Sequence, residues 1–143
     1  MLRFFNLFIL LFAGQVWAEV KINDATVRLL PPGVPNTAAY FSIENNSDKD
    51  LVLVAAKADF VNKAEIHNHL MIDNMMSMQQ QAEVVVPAGE TIDFKPSGLH
   101  IMLFGLKQVL SEDQTVALSL QTKSGEVINF TAKVARPQTH AHH

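Results

Sequence analysis

Turn residues punctuate this sequence at short intervals, and no stretch between them carries sustained helical periodicity, so helical folds are excluded from the outset. Residues 20–30 are β-rich and stop at Pro31-Pro32-Gly33-Val34-Pro35. Residues 37–44 alternate Ala39, Phe41 and Ile43 with Tyr40, Ser42 and Glu44, the pattern of a half-buried strand. The polar run 45–50 supplies a turn, and residues 51–56 form a short apolar strand. Val84-Val85-Val86 ends at Pro87-Ala88-Gly89-Glu90, and residues 91–94 end at Lys95-Pro96-Ser97-Gly98. Residues 115–121 and 127–134 flank the turn Lys123-Ser124-Gly125-Glu126. Helical geometry is expected only as short turns near residues 59–62 and 108–111. Strands at spacings of about 8–12 residues predict an all-β, Ig-like Greek-key β-sandwich or barrel with antiparallel neighbours.

The first eighteen residues stand apart. Arg3 precedes an apolar run over residues 4–13, and Val16-Trp17-Ala18 has the small-x-small form of a cleavage site. This reads as a secretory signal peptide, with the exported chain expected to start at Glu19. No later run approaches the ~20 apolar residues needed to span a bilayer, so stable membrane insertion is not expected. Residues 19–136 then form a single domain, with a tail over 137–143. Without residues 1–18 the chain carries 10 basic and 14 acidic residues, a net charge of −4. That argues against nucleic acid as a partner. The absence of cysteine excludes thiol redox chemistry and leaves an exported domain to rely on its core alone.

The chemistry concentrates between residues 67 and 102. His67 is followed after ten intervening residues by Met78, after twenty-one more by His100, and one residue later by Met102. Thioether sulfur is a soft donor that suits Cu(I) and suits Zn(II) poorly, while imidazole accepts either, so a mixed His/Met set points to copper. His100, Met102 and Phe104 alternate with Ile101 and Leu103, which places His100 and Met102 on one face of one strand. On the segment from Ala64, Ile66 and Leu70 fall on one face and Glu65, His67, His69 and Met71 on the other, so the donor side is expected to face away from the deepest core. Asp73-Asn74 offers a turn, after which Met76 and Met78 share a face. Four of the five methionines beyond residue 18 lie between 71 and 78.

The spacing H-x(10)-M-x(21)-H-x-M, with Ala64-Glu65-Ile66-His67 before it and Gly98-Leu99-His100-Ile101-Met102-Leu103 at its end, resembles the signature of the periplasmic copper chaperones called PCu(A)C. The resemblance covers most of the chain beyond residue 18. It implies a cupredoxin-like β-sandwich that binds Cu(I) through His67, Met78, His100 and Met102. It also implies a periplasmic protein that supplies copper to a respiratory cytochrome oxidase, or to an assembly chaperone serving it.

Each donor has a plainer explanation beside the chemical one. A lone methionine in an apolar strand is usually core filler, and a lone histidine is usually a satisfied, partly buried side chain. The joint pattern outweighs these, because a core could be built from the Val, Ile and Leu abundant elsewhere. His69, Met71 and Met76 have three readings: an extension of the site, ligands for a second ion, or solvated residues. Three of the six histidines, His140, His142 and His143, sit in the last four residues, where a native second Cu(II) site competes with an artificial extension. Enzyme motifs are missing: Gly-x-Ser-x-Gly, His-Glu-x-x-His and the phosphate loop do not occur, and a His₂Cys electron-transfer site has no Cys. The reading is therefore a non-enzymatic chaperone. Its rivals are a copper-sequestering protein and a metal-free interaction module.

Overall fold

A computed structural model describes residues 19–137. The expected signal peptide and the tail residues His140, His142 and His143 lie outside the described residues. Ten strands follow in order: β1 (Val20–Arg28), β2 (Thr37–Asn45), β3 (Leu51–Lys57), β4 (Val61–Ile72), β5 (Met75–Gln80), β6 (Val84–Val86), β7 (Thr91–Phe94), β8 (His100–Leu106), β9 (Thr115–Thr122) and β10 (Val127–Ala135). The expected helical turns do not form. Residues 59–60 make a turn leading into β4, and residues 108–111 are irregular.

The strands form one hydrogen-bonded path, β5-β4-β8-β2-β1-β10-β9-β3-β6, with β7 also paired to β2. The path folds over on itself. Ile66, Ile101 and Leu103 from β4 and β8 share one apolar cluster with Leu53, Val86 and Leu120 from β3, β6 and β9. The result is the all-β sandwich read from the sequence, with one departure. β1 and β10 run parallel through Thr26↔Lys133, Val27↔Val134 and Arg28↔Ala135, while the other pairs are antiparallel. Period-two alternation says which face a residue takes and nothing about the direction of the neighbouring strand.

Two features of this path locate the ligand region. First, β2 changes partner along one edge, pairing β8 over Thr37 to Ala39 and β7 over Phe41 to Glu44. The link between β7 and β8 is the tight turn Lys95-Pro96-Ser97-Gly98, closed by the Gly98 N–H donating to the Lys95 carbonyl at 3.0 Å and held by the Lys95 N–H donating to Leu99 at 2.8 Å. His100 therefore opens β8 directly after a fixed corner. Second, β4 changes partner at His67, which faces His100 of β8 on one side and Gln80 of β5 on the other. Residues before His67 pair with β8, and residues after it pair with β5 alone. Near the far end of β8, Gly105 sits at φ +70° with Asn62 packed where a Cβ would stand, so a side chain there would both strain the backbone and collide.

Candidate metal centre

Because the pleat alternates, β4, β5 and β8 divide their residues cleanly between two faces. Ile66, Ile101 and Leu103 point into the core and are at most 2% exposed. The opposite face carries Glu65, His67, His69 and Met71 on β4, Met76, Met78 and Gln80 on β5, and His100, Met102 and Phe104 on β8. The donor face is thus the one expected from the sequence. The depth of its histidines is not what that placement suggests, since His67 is 8% and His100 4% exposed. Neighbours on the same face cover them: the His67 ring stacks at a tilt on Phe104 (5.9 Å between centroids), and the His100 ring meets Tyr40 (6.5 Å).

Of the predicted donors, His67, His69, Met78 and His100 converge, and Met102 lies beside them on the same face. His67 and His100 are direct cross-strand partners, with ring centroids 5.9 Å apart. His69, diagonal to His100, brings its ring to 5.2 Å. Met78 stands opposite His69 and reaches past it, so that its Sδ lies 3.2 Å from His100 Nε2. Met102 shares the face one pleat along from His100, opposite Glu65, and is half-buried. Met71 and Met76 oppose each other further out on the β4–β5 hairpin.

The hydrogen bonds around the rings assign their nitrogens. His100 Nδ1–H donates to the Gly98 carbonyl at 3.0 Å, which leaves Nε2 as the lone-pair nitrogen, the one facing Met78. His67 Nε2–H donates to Glu65 Oε2 at 2.7 Å, which leaves Nδ1 as a lone pair. Among the described residues, that Nδ1 is the buried side-chain nitrogen or oxygen without a hydrogen-bond partner. A buried unpaired acceptor costs roughly 1–3 kcal/mol, a cost that coordination to a metal ion removes. Each ring thus has one nitrogen held by an acceptor and one lone pair free, the arrangement usual for metal-binding histidine.

The surroundings of His100 favour its neutral, ligating form. Burial pushes His100 below the ordinary imidazole range; the Gly98 hydrogen bond opposes the shift, and His69, His67 and Arg28 add to it. The hydrogen bond from His67 holds the Glu65 carboxyl below its usual range against desolvation, with Lys63 assisting from 3.1 Å. Among the described residues, no three His, Asp or Glu side chains form a metal-binding group. The donors brought together are imidazoles and the Met78 thioether, and thioether sulfur favours a soft cation.

A family model described as "Putative lipoprotein LpqE-like" matches residues 20–134. The chain belongs to this LpqE-like family. Its sheet is that of the PCuAC domains. The apo PCuAC domain from PmoF1 superposes with a TM-score of 0.70 at 23% identity, covering 83% of this chain and 95% of that one. The apo solution structure of DR1885 from Deinococcus radiodurans is 30% identical with a TM-score of 0.65, covering 83% of this chain and 80% of that one. "Putative lipoprotein Lxx21020" of Leifsonia xyli subsp. xyli is 29% identical over 125 residues, 87% of this chain and 72% of that one. Within this PCuAC-type domain, sequence reasoning passed over Glu65, Gly98 and Tyr40, which hold or cover the histidines. Glu65 carried a signal, since it lies two residues before His67 on the same face. Tyr40 carried none, because a neighbouring strand enters through the tertiary fold, and the Gly98 carbonyl is aimed at His100 by the turn that precedes it.

Proposed function

We propose that this protein is an extracytoplasmic copper metallochaperone that carries one Cu(I) on His67, Met78, His100 and Met102 and hands it to a copper-receiving protein. The observation that carries the reading is the 3.2 Å approach of Met78 Sδ to the free lone pair of His100, whose other nitrogen is fixed by Gly98. A sulfur and an imidazole nitrogen from strands on either side of β4 meet where neither is needed to fill the core. A solution structure of DR1885, a relative 30% identical to this chain, carries Cu(I). The signal-type sequence of residues 1–18 and the lipoprotein description of the family support export, with the periplasm as the compartment.

Delivery follows from the charge of the donors. Histidine and methionine bind Cu(I) as neutral ligands, so an acceptor with deprotonated cysteines or a fuller ligand set draws the ion away. Met78, 45% exposed, is the ligand an acceptor can replace first, while His67 and His100 stay fixed by their outer partners. The recipient we favour is the copper centre of a respiratory cytochrome oxidase, or a chaperone serving it. The tail imidazoles His140, His142 and His143 are chemically suited to a second, Cu(II) ion.

The test is a Cu(I) titration against a competing chelator, on wild type and Met102→Ala, followed by mixing of the loaded protein with an apo dithiol domain. One equivalent should bind, weaken on loss of Met102, and move to the acceptor. At free copper ~100 times the dissociation constant, the fold should gain about 2.7 kcal/mol, and Zn(II) should give far less. Equal stabilisation by both ions would overturn the soft site. Copper that stays put for hours against excess acceptor would make the protein a store.

A further inference from the structure

The β4–β5 hairpin projects beyond the end of β8 and exposes apolar side chains that no packing requirement explains. Met71 is 64% exposed and Met76 55%. Their opposition is set by the turn. Asp73 and Asn74 form a two-residue connection with φ of 50° and 63°, the left-handed pair that fixes hairpin register. That register places Met71 opposite Met76, His69 opposite Met78 and His67 opposite Gln80, all on one face. Directly opposed residues hold their Cβ atoms about 4.5–5.5 Å apart, within reach of one ion for two flexible thioethers. Met75, 72% exposed, lies on the other face opposite Ile72.

Moving outward along this face, donors succeed one another without a gap: the buried His67 and His100, then His69 with Met78, then Met71 with Met76. We propose that Met71 and Met76 form a second, weaker Cu(I) station at the hairpin tip, through which the ion reaches and leaves the inner site by way of His69 and Met78. This rests on the reading of the inner site as a Cu(I) site. The step is ligand exchange without redox change: a copper bond to the next thioether sulfur or imidazole nitrogen forms as a sulfur–copper bond behind it breaks, and the single positive charge moves with the ion. Asp73 at the turn adds an anionic group near the point of arrival. Two thioethers alone make a labile pair, and lability is what a transit station needs.

The experiment uses the full chain with ¹³C-labelled methionine methyl groups, titrated anaerobically with Cu(I), alongside Met71→Leu/Met76→Leu and the control Met75→Leu. Leucine keeps the apolar surface and removes the sulfur. The first equivalent should move the Met78 and Met102 methyls, and further Cu(I) should move Met71 and Met76 in fast exchange. The double variant should keep first-equivalent affinity, lose the second phase, and transfer copper to an apo dithiol domain roughly tenfold more slowly, the factor carried by about 1.4 kcal/mol of barrier. Met75→Leu should behave as wild type. Met71 and Met76 methyls that stay still through several equivalents, or unchanged transfer in the double variant, would overturn the station while leaving the inner site standing. Equal slowing by Met75→Leu would show that the effect is not confined to the face of Met71 and Met76, and would overturn the station as placed. Still Met78 and Met102 methyls at the first equivalent would overturn the inner site itself, and the relay with it.

Discussion

The two halves of β4 show how one strand supports opposite requirements. Before His67 the strand is paired to β8, and Ile66 is fixed in the core beneath the donor face. After His67 it is paired to β5 alone, and the exposure of Met71, Ile72, Met75 and Met76 rises sharply. The inner half sets His67 beside His100, each imidazole being pinned by an acceptor. The outer half carries exposed, flexible thioether side chains. Partner exchange at His67 puts the rigid and adaptable sets in contact, as the proposed holding and release of an ion requires.

Breaking the inner half from below should have the largest effect. Ile101→Ala removes a fully buried side chain beneath His100 and should cost about 2–5 kcal/mol of stability, read by chemical denaturation. His100→Ala should leave the fold largely intact and lower Cu(I) affinity by more than about 100-fold in a chelator competition, since even the outer partner of a ligand is worth about 10–100-fold. Glu65→Gln tests that outer partner and should weaken Cu(I) about tenfold, by loosening His67 and lowering its basicity. An unchanged affinity would show that Glu65 serves only Lys63.

The pH dependence of the apo protein sharpens the contrast. His100 has a folded pKa below its unfolded value, so its contribution to stability is complete above about 6.5 and is lost as pH falls from there through the lower folded value, where the unfolded chain takes up the proton first. Thermal melts of apo wild type and His100→Gln between pH 8 and 5 should diverge below about 6.5, with wild type losing more. The smallest effect belongs to the hairpin tip. Met71→Leu/Met76→Leu should shift apo stability by no more than ~0.5 kcal/mol, because exposed side chains with no buried partner contribute little.

The sequence by itself determined which residues face the core and which face the donors, because a strand's side chains alternate with a period of two and turn residues reset that count at each corner. Ile66, Ile101 and Leu103 stand opposite His67, His100 and Met102 as that rule requires. It also determined the soft character of the donor set, which lies in the side chains themselves. Only the tertiary structure decided that β4 lies between β5 and β8, that His67 and His100 share a register, and that β1 runs parallel to β10. Strand order and register are chosen by the packing of the whole sheet over one core, a sum over distant residues that no local pattern records. Glu65 and Gly98 pin His67 and His100 from two residues away in the chain, but the depth to which Phe104 and Tyr40 bury both rings arises only once those strands are side by side.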